Sequence, residues 1–199
     1  FTVNTLTYLK IIEETGNKPD AVAGHSLGEY NALHAAGVFD FVTGLKMVKK
    51  RGDLMSLASG GGMAAVIGLT KDKIQEVISQ SGFTSITIAN LNTPVQTVIS
   101  GSKAEISAIQ SYFKKSGARL YMPLKVSGAF HSPFMQPARE EFTEFLKQFI
   151  FNPPKIPVIS NVEAAPYQPN DIADLLARQI TSPVRWVETI QYLRKQPNP

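Results

Sequence analysis

The chain of 199 residues contains no cysteine. This absence excludes disulfide bonds, a cysteine nucleophile and any metal site built from thiolates. Long apolar runs are also missing, because no stretch approaches the roughly 18 to 20 apolar residues that a membrane-spanning helix needs. The first residues do not have the pattern of a secretory leader. We therefore expect a soluble, cytoplasmic protein that does not bind a membrane.

Basic residues are in slight excess but are not clustered. Lysine and arginine number 20 against 16 aspartates and glutamates, which gives a formal net charge of +4. No helix or loop concentrates the basic residues together with aromatic ones, so we expect no nucleic-acid partner. A modest positive charge instead suits an acidic protein partner, whose approach it would steer.

The most informative motif is Gly-His-Ser-Leu-Gly at residues 24–28, between an apolar run and a helix-forming stretch. It predicts a nucleophile elbow, a sharp strand-to-helix turn in which the flanking glycines allow close approach of the backbone and the hydroxyl of Ser26 projects above the sheet. The N–H of Leu27, at the start of the helix, would donate to a developing oxyanion. Such a short motif also occurs by chance in glycine-rich loops, and the context decides between the two interpretations.

The chain offers three histidines as a base for Ser26. His25 is its neighbour, so we expect the side chain of His25 to point away, and His34 falls two turns into the following helix. His131 follows a predicted strand and enters a polar turn, where backbone hydrogen bonds would hold a base; the alternative is a structural loop histidine. No aspartate between the serine and this histidine falls at a strand end. We therefore expect a Ser-His dyad oriented by a carbonyl oxygen.

The hydrophobic pattern predicts an α/β fold with two lobes. Residues 1–60 and 128–199 form a hydrolase-like large lobe with a parallel sheet and the elbow. Residues 61–127 have the strand-helix-strand-strand-helix-strand order of an inserted ferredoxin-like small lobe, entered through a glycine-rich hinge at 59–62. Helices are predicted at 6–15, 29–36, 41–58, 71–81, 104–116, 137–149, 172–180 and 184–194, and strands at 21–24, 63–68, 86–90, 96–100, 120–126 and 157–160.

Four motifs, in order, resemble those of malonyl-CoA:acyl carrier protein transacylases and polyketide synthase acyltransferase domains. They are GHSLGEY at 24–30, KRGDLM at 50–55, GAFHS at 128–132 and RQITSPVRW at 178–186. The resemblance covers essentially the whole chain and is greatest to the discrete acyltransferases that serve polyketide synthases in trans. It implies a monomer that moves malonyl from malonyl-CoA to the phosphopantetheine thiol of an acyl carrier protein, in polyketide or fatty acid biosynthesis, without a metal or other cofactor.

The same resemblance implies roles for single residues. Ser26 would be the nucleophile, His131 the base and then the acid, and Gln179 a support for the histidine. Arg51 would grip the malonyl carboxylate, and its guanidinium suits this role because two parallel N–H donors match a carboxylate in a way that lysine cannot. The alternative for Arg51 is a solvated position on a helix.

Further residues bear on the acyl group. In the resembled family a bulky Phe130 goes with malonyl selection, because its ring leaves little room for an α-methyl branch; Phe130 could also be a core residue. Asn90 and Asn92, after a small-lobe strand, would face the cleft or form a turn with Pro94. We count His25 and Asn92 among the substrate-contacting residues.

The chain also departs from the resembled family. The family's Gly-Gln-Gly loop, whose glutamine is the second oxyanion donor, and its Gly-Pro-Gly segment are not within these 199 residues. We expect the sequence to be part of a longer protein, with the first strand of the large lobe outside it. Two other functions fit the elbow and the histidine: a serine acyl hydrolase of carrier-bound thioesters, which would not need Arg51, and a non-catalytic module that docks on the carrier.

Overall fold

Two separate β-sheets organise the protein, and the computed structural model describes residues 1–196 of the chain. The strands are β1 (Val22–Ala23), β2 (Gly61–Ile67), β3 (Thr87–Thr93), β4 (Gln96–Ser102), β5 (Leu120–Pro123) and β6 (Val158–Ile159). The helices are α1 (Thr2–Thr15), α2 (Gly28–Ala35), α3 (Phe41–Ser56), α4 (Lys71–Ser81), α5 (Lys103–Ala108), α6 (Gln110–Lys115), α7 (Gln136–Leu146), α8 (Ile172–Gln179) and α9 (Trp186–Leu193), with a 3-10 turn at Pro133–Met135.

The small lobe is an antiparallel sheet of four strands in the order β3-β4-β2-β5, which is the order of a ferredoxin-like unit. Side chains of the central strand β2 alternate between two faces. Ala64 and Val66 pack against helices α4 to α6, whereas Met63 and Ala65 pack on the other face with Phe130. The second face thus contacts the segment that carries the predicted base, and the predicted two-lobed α/β fold is confirmed.

In the large lobe, β1 and β6 pair in parallel, with Val22 opposite Val158. Because the carboxyl ends of parallel strands meet at the same edge of a sheet, the residues that follow them come together. Ser26 follows β1 and Asn161 follows β6. Helices α2, α3, α7 and α8 enclose an apolar core whose fully buried members include Tyr30, Leu33, Met47, Phe142 and Leu176.

The glycine-rich segment at 59–62 was predicted to be a hinge, but part of it is a strand. Gly61 is the first residue of β2 and pairs with Ser102. A Cβ atom on Gly61 would lie 2.4 Å from the backbone nitrogen of Ala129, and real Cβ contacts are not that short. The missing side chain therefore allows β2 to approach the loop that carries His131.

Other boundaries also differ from the prediction. The helix predicted at 104–116 is divided at Ile109 into α5 and α6. The strand predicted at 120–126 ends at Pro123, although one further bond to β2 follows it, from the N–H of Leu124 to the carbonyl oxygen of Met63 at 2.9 Å. Residues 124–132 form no helix or strand. Asn90 and Asn92 lie within β3, not in a loop after it.

The division into a small lobe of residues 61–127 and a large lobe on either side of it remains our proposal. It is consistent with the start of β2 at Gly61 and the end of β5 at Pro123.

Across residues 1–196, every helix is too short or too polar to cross a membrane.

Candidate active site

The turn between β1 and α2 has the geometry of a nucleophile elbow. The backbone of Ser26 has a φ of +52°, a left-handed conformation that non-glycine residues adopt at an energetic cost and that often marks a functional site. A Cβ atom on Gly24 would lie 1.9 Å from the carbonyl oxygen of Gly28, so only glycine permits this close turn. Within residues 1–196 the N–H of Leu27 has no hydrogen-bond partner, which leaves it available to an oxyanion at the start of α2.

Ser26 and His131, which both belong to the large lobe, are in direct contact. The Oγ of Ser26 lies 2.8 Å from the Nε2 of His131, and the Nδ1 of His131 lies 2.9 Å from the carbonyl oxygen of Gln179. A carbonyl oxygen only accepts, so Nδ1 carries the hydrogen and Nε2 is free to accept the serine proton. This arrangement matches the expected dyad oriented by a carbonyl.

The imidazole of His131 is held in its neutral form. Its pKa is lowered to about 3, chiefly by burial and next by the nearby positive charge of Arg51. The side chain is 4% exposed. A neutral imidazole can accept a proton, which is what a general base requires.

Arg51 lies on the buried side of α3, not in solvent. It is 6% exposed, and its Nη2 donates to the Oγ of Ser26 and to the Oε1 of Gln179, at 3.0 Å each. The Nε of Arg51 is buried and has no hydrogen-bond partner in the described part of the chain. A buried cation with an unused donor beside a nucleophile is suited to an anionic ligand.

A cavity of about 400 Å³ opens beside these groups, between the two lobes. Its walls include His25, Ser26, Arg51, Asn90, Phe130 and His131. The ring of Phe130 also packs against both neighbouring apolar clusters, so it is at once a packing residue and a cavity wall.

Asn92 does not line this cavity. Its Oδ1 lies 2.9 Å from the Nε2 of His25, and the imidazole of His25 packs edge-on against Trp186. The side chain of His25 thus points to the small lobe, whereas Ser26 contacts His131. His34 is remote from the site, with its Nδ1 3.0 Å from the carbonyl oxygen of Phe39.

Sequence reasoning missed Asn161 as a support of the elbow. Its Oδ1 accepts the backbone N–H of Ser26 at 2.7 Å, and its Nδ2 donates to the carbonyl oxygen of Gly24 at 2.7 Å. The signal was available, because Asn161 directly follows a strand that was predicted to lie in the same parallel sheet as the elbow strand.

Glu29 was also missed. It is fully buried and accepts from the backbone N–H of Asn161 at 2.7 Å, from the hydroxyl of Tyr167 at 2.8 Å, and from the side chain of Gln179. Burial raises the pKa of Glu29 to about 7, although these hydrogen bonds oppose the shift. A glutamate in the first turn of a helix is ordinary, so the sequence alone carried no signal for this environment.

An elbow serine, a neutral histidine and a buried arginine on this two-lobed fold form an arrangement whose chemistry suits serine-dependent acyl transfer. Residues 5–198 match the acyl transferase domain family, and the chain belongs to that family.

Three similar proteins have malonyl transfer or polyketide biosynthesis in their names. The chain is 52% identical to the polyketide biosynthesis malonyl CoA-acyl carrier protein transacylase BaeC of Bacillus velezensis, over 97% of this chain and 67% of that protein. It is 52% identical to the polyketide biosynthesis protein PksE of Bacillus subtilis, over 97% of this chain and 25% of that protein. The solved malonyl CoA-acyl carrier protein transacylase from Burkholderia pseudomallei is 49% identical, with a TM-score of 0.94, over 97% of this chain and 66% of that one.

This chain therefore spans a quarter of the length of PksE and about two thirds of the length of the other two proteins. The predicted membership of the acyltransferase family is confirmed.

The buried, neutral state of His131 predicts a loss of stability in acid. The folded protein keeps this imidazole unprotonated down to about pH 3, whereas the unfolded chain takes up a proton near the ordinary value of about 6.5. Below pH 6.5 protonation therefore favours the unfolded state, by about 1.4 kcal/mol per pH unit. The backbone of His131 has a φ of +57°, which asparagine tolerates. Relative to His131→Asn, the wild type should lose about 2 kcal/mol between pH 6.5 and pH 5.

Urea unfolding of both proteins at several pH values measures this difference. Other titrating groups, Glu29 included, are common to the two proteins and cancel to first order. A stability difference that is independent of pH would contradict the buried neutral histidine.

Proposed function

We propose that this chain transfers a malonyl group from malonyl-CoA to the phosphopantetheine thiol of an acyl carrier protein, through a malonyl ester of Ser26. The observation that carries the proposal is the meeting of Ser26, His131 and Arg51 at one cavity. These groups are a nucleophile, a base and a cation suited to a carboxylate. Family membership and the names of the similar proteins support the same reaction.

In the first half-reaction, the Nε2 of His131 accepts the proton of Ser26 as the Oγ attacks the thioester carbonyl. The negative charge that develops on the carbonyl oxygen accepts a hydrogen bond from the N–H of Leu27. The intermediate collapses with cleavage of the carbon–sulfur bond, and the CoA thiolate takes the proton from His131. The carbonyl of Gln179 stabilises the transient imidazolium through Nδ1.

In the second half-reaction, the carrier thiol gives its proton to His131 and its sulfur attacks the ester carbonyl. The bond to Ser26 breaks, and the Oγ recovers a proton from the Nε2 of His131. The two halves use the same dyad in the same geometry, which is the structural basis of a ping-pong mechanism.

Arg51 selects the diacid in this proposal. Its Nη2 contacts the Oγ of Ser26 in the free protein, and an acyl group on that oxygen places its free carboxylate beside the guanidinium. A bond between two charged groups is stronger than the bond to a neutral hydroxyl, so Arg51 exchanges partners when the serine is acylated. Phe130 leaves little room in the cavity for an α-methyl branch on the malonyl group. The discrimination against a methylmalonyl group is incomplete, because one methyl group contributes only about 1 to 3 kcal/mol.

The proposed chemistry uses malonyl-CoA as substrate and needs no metal or redox cofactor. Carrier proteins that are acidic would be attracted by the formal charge of +4. The monomeric state and the cytoplasmic location inferred from the sequence stay predictions.

Intact-protein mass spectrometry with malonyl-CoA tests the proposal. We expect an adduct of one malonyl group that disappears when pantetheine or a phosphopantetheinylated carrier is added, and no adduct on Ser26→Ala. Rapid hydrolysis without transfer would instead favour the acyl hydrolase, and an adduct that forms on neither protein would favour a docking module.

Replacement of Arg51 tests the selection of the diacid. Charge-assisted hydrogen bonds contribute about 1.5 to 3 kcal/mol, so Arg51→Met should lower the rate of acylation by malonyl-CoA, relative to acetyl-CoA, by about 10- to 150-fold. The neighbouring Lys50 pairs loosely with Glu141 at the surface, and Lys50→Met is a matched control that should leave the ratio unchanged. Equal losses with both thioesters would show that Arg51 does not bind the carboxylate.

A further inference from the structure

Glu29 makes contacts that the mechanism above does not use. Its carboxyl group lies beneath the elbow, fully buried, with one oxygen facing the backbone N–H of Asn161 and the hydroxyl of Tyr167. The other oxygen faces the side-chain amide of Gln179. All three neighbours donate, so the carboxyl group acts as an acceptor on both sides.

Gln179 connects this acceptor to Arg51. The Nε2 of Gln179 donates to Glu29 and, at 3.0 Å, to the carbonyl oxygen of Ser26. The Oε1 of Gln179 accepts from the Nη2 of Arg51 at 3.0 Å. A primary amide has one donor end and one acceptor end, so the group that faces one end decides what the other end presents.

We propose that Glu29 is a positioning residue that orients the amide of Gln179 and, through it, holds the guanidinium of Arg51 ready for the free carboxylate of the substrate. This inference rests on the proposed function for the identity of that carboxylate. Glu29 itself does not touch the substrate. It fixes the donor end of the amide towards the elbow, and the acceptor end therefore faces Arg51.

The interposed amide also explains how Arg51 stays available. A carboxylate paired directly with the guanidinium would compete with the substrate on equal terms. A neutral amide oxygen holds the guanidinium with a weaker bond than a carboxylate does. When Glu29 is ionised, its negative charge lies on the far side of Gln179 and still offsets part of the free-energy cost of burying the cation of Arg51.

Glu29→Gln reverses the donor pattern with almost no change of shape. The new amide must keep its oxygen towards the N–H of Asn161, because a backbone donor cannot rotate. Its NH₂ group then faces the NH₂ group of Gln179, and Gln179 relieves this conflict by turning its own amide over. The turned amide presents donors to Arg51 and an oxygen to the carbonyl of Ser26, and both contacts are lost.

With pantetheine as acceptor, we therefore expect Glu29→Gln to raise the KM for malonyl-CoA about tenfold. This is the size expected for the loss of one hydrogen bond to a charged group. Inactivation by phenylmethylsulfonyl fluoride, which reacts at the serine and has no carboxylate, should slow much less. Glu163→Gln is the matched control, because its carboxylate is exposed and pairs with Arg178 outside the site. The inference would be overturned if the KM of Glu29→Gln equalled that of the control. It would also be overturned if the factor by which the KM rises were no larger than the factor by which the inactivation slows.

A double-mutant cycle separates positioning from general damage. Gln179→Leu should raise the KM by a similar factor on its own, and adding Glu29→Gln should raise it no further. Full additivity would overturn the relay through Gln179. If Glu29→Gln does not fold, Gln179→Leu alone decides, because a wild-type KM in that variant overturns the relay and a KM raised about tenfold supports it.

A crystal structure of Glu29→Gln is independent of the substrate. It should show the guanidinium of Arg51 beyond hydrogen-bond distance of the side chain of Gln179, and an unchanged contact would overturn the inference. If the wild type reacts with the sulfonyl fluoride but is not acylated by malonyl-CoA, the proposed function fails, and this structural result still decides the positioning role.

Discussion

The 2.8 Å contact between the Oγ of Ser26 and the Nε2 of His131 joins residues 105 positions apart in the chain. The whole small lobe lies between them in sequence, so the contact exists only when that lobe folds and returns the chain to the elbow. Gly61 permits the required approach of β2 to the loop before His131, and Phe130 packs into the second face of the small-lobe sheet. The fold of the insertion therefore determines the geometry of the dyad.

Burial acts on the two partners of Ser26 in different ways. It keeps the imidazole of His131 neutral and able to accept a proton, and it removes water from around the guanidinium of Arg51, which strengthens any bond to an anion. Both effects cost stability in the free protein. Gln179 accepts a hydrogen bond from each group, through its Oε1 from Arg51 and through its carbonyl oxygen from His131, and these bonds offset part of that cost. One residue of α8 therefore supports both the base and the cation.

Much of the site was predictable because its residues belong to short, ordered motifs. The elbow pattern identified Ser26, elimination among three histidines left His131, and the family resemblance added Arg51 and Gln179. The structure brings these four together. The fold class followed from the order of strands and helices, although several boundaries moved by two or three residues.

The parts that were not predictable depend on what each residue touches in three dimensions. Glu29 is a charged residue of a common type, and only the parallel pairing of β1 with β6 makes it a neighbour of Asn161. Asn92 was expected at the cleft, but the longer β3 directs it to His25. Residues 59–62 were expected to form a hinge, but Gly61 begins β2 and packs closely against the loop before His131. A glycine permits close packing as well as flexibility, because it has no Cβ atom.

A crystal structure of the protein trapped as its malonyl ester tests the central claim most directly, because it shows where the free carboxylate lies. The account predicts an ester on Ser26 whose carboxylate accepts two hydrogen bonds from Arg51, at about 2.7 to 2.9 Å. A carboxylate that points into solvent, with Arg51 still bound to Gln179 alone, would contradict it.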